Sequence, residues 1–127
     1  ITYLDMEVLR PSTIGPLKVM SYPAVHTKQT NPTSLRVEVA GKVIAYTGDS
    51  EWTEHMPALA EDADLLIAEC YFFQKAVRFH LNYPDIVKHR AQLKAKRLVL
   101  THLGREMLAN LESVGEECAH DGLVIEL

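Results

Sequence analysis

Three side chains in this sequence have the chemistry to grip a cation, and each stands where a strand should end: His26, Asp49 and His102. Imidazole nitrogen and carboxylate oxygen are ligands of zinc and other borderline divalent ions. Taken singly, a strand-end histidine reads as hydrogen-bonded or solvated, and an aspartate after glycine as a turn or helix cap. Their recurrence at matching positions gives the functional reading its weight. The Asp49 stretch is the sharpest of the three. Lys42-Val43-Ile44-Ala45-Tyr46-Thr47 is apolar on both faces and runs straight into Gly48-Asp49. A carboxylate at the end of a buried strand needs a partner, because desolvating an isolated one costs on the order of several kcal/mol.

The elements that must position these groups follow from periodicity. Residues 2–8 and 17–25 read as strands, the second one at an edge or ending at Pro23. Residues 11–16 and 27–33 read as loops. Residues 34–39 alternate, turn at Ala40-Gly41 and return over 42–47 as a hairpin. The period then changes: Trp52, Met56, Leu59 and Ala60 fall at helical spacing, with Ser50 or Thr53 as N-cap. Residues 64–68 and 97–101 are short apolar runs that suit buried strands, ending at Glu69 and His102. Asn82 caps a helix that has Pro84 in its first turn. Residues 105–111 predict a short helix and residues 123–127 a last strand. The expected class is α/β, a layered sheet with helices packed outside.

Bulk properties set the bounds. One domain with a real core fits 127 residues at 47% apolar and 24% charged. The net charge of −4 and the absence of a basic run argue against nucleic-acid binding. No apolar run reaches the length of a membrane span. Cys70 and Cys118 form no CxxC pattern, which suits a reducing compartment and a cytoplasmic protein. His55, His89 and His120 read as surface residues. Trp52, Tyr71, Phe72 and Phe73 read as core or pocket wall, and Cys70 as buried and inert. Arg105 is either a solvated charge or a contact for an anionic substrate.

Read together, the segments Val25-His26, Ser34-Leu35-Arg36-Val37-Glu38, Ile44 to Ser50, Ala63 to Glu69, Phe79-His80-Leu81-Asn82 and Arg97 to Leu103 resemble the C-terminal half of the metallo-β-lactamase-fold hydrolases. The ribonuclease Z-like and small phosphodiesterase branches are the most similar. The resemblance covers roughly residues 17–127 and implies an αββα sandwich of which residues 1–127 form the C-terminal half. It implies that His26 is a ligand of a first metal, Asp49 a bridge between two metals, and His102 a ligand of the second. Two zinc ions, with manganese as a substitute, would lie about 3.5–4 Å apart and hold a hydroxide. His80 matches the histidine that contacts phosphate and protonates the leaving group. Glu69 matches the glutamate that could orient it. Asp49, Glu69 and His80 are thus the implied catalytic set.

The departures are as informative. The principal signature HxHxDH, which supplies most of the usual ligands, is absent from these 127 residues. The expectation is that this chain alone binds metal poorly and is inactive. A covalent segment or another chain, a second copy included, is expected to cover the exposed sheet and complete the site. Ala68 stands where the ribonuclease Z pattern has histidine, and Tyr71 where it has threonine. Only 49 − 26 = 23 positions separate His26 from Asp49, too few for a tRNA-binding arm. The implied activity is hydrolysis of a phosphodiester or related small ester. The rivals are thioester, lactone or β-lactam hydrolysis on the same scaffold, and a degenerate binding module.

Overall fold

A computed structural model describes residues 3–127. Seven strands form a single sheet in chain order: β1 (Pro11–Ile14), β2 (Leu17–Pro23), β3 (Thr33–Val39), β4 (Lys42–Tyr46), β5 (Leu65–Glu69), β6 (Leu98–Thr101) and β7 (Glu117–Cys118). β1 to β4 pair antiparallel, and β4 to β7 pair parallel. β2 and β4 both oppose β3, so they run in the same direction as β5 and β6. The C-terminal ends of β2, β4, β5 and β6 therefore share one edge of the sheet, the upper rim. Three short helices accompany the sheet: α1 (Met56–Ala60), α2 (Tyr83–His89) and α3 (Arg105–Leu108).

The helices send their buried residues to one face. Met56 and Leu59 of α1, Ile86 of α2 and Met107 of α3 join Tyr22, Ala45, Leu66, Ala68, Leu98 and Leu100 in one cluster. Burying each large apolar side chain in it contributes about 1.5–3 kcal/mol. Successive strand residues point to opposite faces, so Val37, Ile44, Tyr46 and Ile67 lie on the other side. Val37, Ile44 and Ile67 are half-buried there, and Tyr46 is exposed. Val19, Leu65 and Val99 on the same side are buried.

Most of the sequence-based elements stand, and α2 begins at Asn82 with a capping box to Asp85. The 34–39/42–47 hairpin also stands, with both turn residues, Ala40 and Gly41, at positive φ as a tight hairpin demands.

Four expectations are corrected. The first strand is not at 2–8: the described part of that stretch, from residue 3, is irregular, and the strand lies at Pro11–Ile14, in the expected loop. Proline at the first position of an edge strand needs no ladder donor, and the Gly15-Pro16 turn pairs Ile14 with Leu17. The last strand is Glu117–Cys118, because these residues pair with Val99 and Leu100. Residues 123–127 leave the sheet after the turn closed by Leu123 N–H to the His120 carbonyl. Neither Ser50 nor Thr53 caps α1, whose N-cap is His55. The Ser50 hydroxyl is engaged elsewhere, accepting from Val25 N–H and donating to the Glu51 carbonyl. His89 is not a simple surface residue, since its ring stacks on Trp52 at 3.9 Å.

Among the described residues no helix is long and apolar enough to cross a membrane. Both cysteines are free. Burial pushes the Cys70 thiol up to about 12, so it carries no thiolate chemistry near neutral pH.

Candidate metal centre

Every proposed site residue lies just beyond, or at, a strand end on the upper rim, except His80, which enters from the irregular segment before α2. The turn after β4 bends sharply at Gly48, whose φ of 60° favours glycine and where a Cβ would meet the Thr33 carbonyl at 3.4 Å. Glu69 is the last residue of β5. His102 follows β6 with φ of 54°, a left-handed conformation that costs a non-glycine residue about 1–2 kcal/mol. The strain is tolerated where surrounding contacts over-determine it, and His102 has such contacts.

The centre of the arrangement is Glu69, whose side chain is 1% exposed. Its Oε1 accepts from Nδ1–H of His80 and from Nδ1–H of His102, the latter at 2.9 Å. Its Oε2 accepts from the backbone N–H of Ser50 at 3.0 Å and of Leu81 at 3.1 Å. The Thr47 hydroxyl accepts from Glu69's own N–H at 2.9 Å. A carboxylate can only accept, so each imidazole carries its proton at Nδ1 and leaves Nε2 free. Asp49 Oδ1 lies 3.1 Å from His102 Nδ1.

The desolvation argument made for Asp49 therefore belongs to Glu69. Asp49 is 41% exposed and in no need of an internal counter-charge. Glu69 is the buried carboxylate, and its partners are two imidazoles and two backbone amides.

Asp49, Glu69, His80 and His102 each offer a ligand atom, and these atoms all lie within 4.8 Å of one another. His26 stands outside that group of four. Its ring is in edge-to-face contact with His80, 5.3 Å between centroids. The three expected ligands thus come to one rim, but in this arrangement His26 meets the group through His80. Tyr71, two residues after Glu69, stacks on His80 and meets the edge of His102, both at 5.0 Å. Gly104 permits this, because a Cβ there would strike the Tyr71 carbonyl at 2.5 Å. Partial burial, then the charges of Asp49 and Glu69, raise the Tyr46 phenol above its ordinary value.

The donor set fits a divalent cation. The Asp49 carboxylate and the His102 and His26 imidazoles are oxygen and nitrogen ligands of the borderline class, with Asp49 and His102 in the group whose ligand atoms converge and His26 beside it. Glu69, with both oxygens engaged, fits the role of the carboxylate that orients histidine ligands from behind.

A family model described as "Beta-lactamase superfamily domain" matches residues 5–103. The chain belongs to that superfamily. It is 28% identical over 97 residues to the probable metallo-hydrolase YhfI of Bacillus subtilis strain 168, spanning 74% of this chain and 39% of that protein. A 68-residue stretch is 31% identical to ribonuclease Z of Bacillus velezensis, covering 50% of this chain and 22% of that one. The crystal structure of YhfI superposes with a TM-score of 0.74 at 23% identity, over 91% of this chain and 51% of YhfI. Zn(2+)-bound PqqB of Methylobacterium extorquens superposes at 0.73 and 18% identity, over 96% of this chain and 55% of PqqB. The mixed sheet with helices on one face is thus the α/β metallo-β-lactamase fold expected from the sequence. The chain spans about two fifths of YhfI and a fifth of ribonuclease Z in the sequence matches, and about half of YhfI and of PqqB in the superpositions.

Sequence reasoning placed the Glu69–His80 pair but missed that Glu69 also holds His102. It read Tyr71 as a wall and Ser50 as a cap. The missed signal was proximity in sequence: Ser50 adjoins Asp49, and Tyr71 stands two places from Glu69.

Proposed function

We propose that the complete protein is a metal-dependent hydrolase acting on a phosphodiester or a related small ester. The observation that carries this reading is the Glu69 carboxylate, buried and saturated, holding two imidazoles by Nδ1 so that neither Nε2 is taken up by it, with Asp49 Oδ1 3.1 Å from His102 Nδ1. Asp49, His102 and His26 would hold the metal. Zinc is favoured by the nitrogen and oxygen donors and by the likeness to zinc-bound PqqB. When bound, the ions supply Lewis acidity and a water acidic enough to attack at neutral pH.

The chain's own residues do the rest. When His80 takes up a second proton, at Nε2, it donates that proton to the departing oxygen. Glu69 behind it fixes the ring and stabilises the imidazolium until the proton leaves. Asp49 and His102, next to the same Glu69, would supply negative charge and ligand nitrogen. The remaining ligands come from outside these 127 residues, from a segment that also covers the Val37, Ile44 and Ile67 face.

The test is elemental analysis of the complete protein, followed by a screen of a bis-aryl phosphate against thioester and lactone substrates. Bound zinc or manganese with turnover of the phosphate is the expected result. A protein that binds no divalent ion, or that hydrolyses only thioester or lactone, overturns the reading.

A further inference from the structure

Two histidines of the site, His26 and His80, ride on loops without regular structure, yet their rings meet edge to face. Something must hold both loops against the turn that carries Asp49. The hydrogen bonds converge on the two residues after Asp49. Val25, the residue before His26, donates its N–H to Ser50 Oγ at 2.9 Å, and its carbonyl accepts from Glu51 N–H at 2.9 Å. Phe79, the residue before His80, donates its N–H to Glu51 Oε1 at 2.8 Å. Ser50 N–H reaches Glu69 Oε2, which closes the set onto the buried carboxylate.

The Phe79 bond matters because of its backbone. Phe79 has φ of 73°, a left-handed conformation that a bulky side chain adopts only when its surroundings enforce it. The Glu51 carboxylate receives the Phe79 N–H in that conformation. Arg78 adds a second tie: its guanidinium lies over the Phe79 ring at 5.2 Å, and its Nε lies 3.9 Å from the same Glu51 oxygen. The Phe79 ring in turn packs edge-on against His26.

We propose that Glu51 is a positioning residue of this site. Its main chain anchors the His26 loop and its carboxylate anchors the His80 loop, so one residue next to the Asp49 turn sets both imidazoles in register with Asp49. Glu51 touches neither metal nor substrate in this assignment. A charge-assisted bond from a backbone N–H is stronger than a neutral one, and a strained residue is where such a bond has the most to hold. What His80 then does with its position rests on the hydrolase reading; the anchoring itself does not.

The test compares the complete protein with Glu51→Ala and Glu51→Gln. Glutamine keeps an oxygen that accepts the Phe79 N–H, so it is the rescue variant. Hydrogen exchange at the Phe79 amide reads the anchor without any turnover: protection falls at least tenfold in Glu51→Ala and less than threefold in Glu51→Gln. Kinetics read the consequence with two aryl phosphodiesters, one releasing 4-nitrophenol and one releasing phenol. The weaker leaving group needs the proton from a well-placed His80. Glu51→Ala therefore loses at least tenfold in kcat on the phenyl diester, less than threefold on the nitrophenyl diester, and Glu51→Gln restores the former. A merely structural defect would lower both diesters together. Unchanged Phe79 protection in Glu51→Ala, or equal losses on the two diesters, overturns the proposal. A wild-type protein that turns over neither diester overturns the hydrolase reading instead, and the amide exchange still decides the anchor.

Discussion

The two rims of the sheet carry the same kinds of residue and use them differently. On the lower rim, where β5, β6 and β7 begin, carboxylates meet fixed cations. Asp64 binds Lys96 at 2.8 Å, and Glu117 takes a two-point grip from Arg97 at 2.7 and 2.8 Å. Where β2 starts and β3 ends, Lys18 meets Glu38 at 3.1 Å. On the upper rim no lysine or arginine bonds to Asp49 or Glu69 among the described residues; their partners are imidazoles and amides. The difference separates architecture from chemistry. A lysine or arginine closes a carboxylate's account for good, whereas a histidine held by one nitrogen still presents the other to a ligand.

The comparison breaks most visibly at Glu69. Glu69→Ala leaves two imidazole donors and two backbone amides without a buried acceptor. The expected cost is about 3 kcal/mol or more, read as a lower urea midpoint, together with loss of turnover in the complete protein. A variant that keeps wild-type stability would show that the upper rim does not depend on its carboxylate. His80→Ala removes one donor and the proposed acid: a fall of about 10²–10⁴-fold in kcat on a poor leaving group is expected, with a much smaller change in melting temperature. If kcat holds, His80 is only packing.

Smaller effects are expected on the lower rim, where pH sharpens the contrast. The Lys96 hydrogen bond, then the Val43 N–H, hold the Asp64 carboxyl below its ordinary value of 3.8. Asp64 thus contributes stability that is fully present above 3.8 and disappears as pH falls through its lowered folded value. Asp64→Asn should be less stable than wild type at pH 7, with the gap closing as the solution is taken well below pH 3.8. A gap that persists in acid would place the effect in something other than this charge. Glu117 behaves the same way, held below 4.5 by Arg97. Its pair is surface-exposed, so Glu117→Gln should shift the midpoint least of the four and lose even that in high salt.

How much of this was legible beforehand depended on where the signal was local. The apolar runs of β4, β5 and β6 announced buried strands, and Gly48-Asp49 announced the sharp exit, because patterning and turn chemistry lie in consecutive residues. Asn82 with Pro84 spelled out a helix start for the same reason. β1 was missed because Pro11 reads as a breaker unless the edge position is known. The final apolar alternation at 123–127 misled, because the edge of the sheet was already taken by Glu117 and Cys118. The double grip of Glu69 on His80 and His102 joins residues 11 and 33 positions away, and nothing in the sequence weighs one imidazole against the other. Asp49's exposure was likewise invisible, since the run before it is apolar whether or not the turn beyond it reaches solvent.

One oxygen atom of Glu69 serves both His80 and His102. The two rings are therefore yoked: a change that draws the acceptor toward one withdraws it from the other. Anyone who wishes to retune the proton donor of this scaffold without disturbing its ligand, by selection or by redesign, will have to provide a second acceptor first.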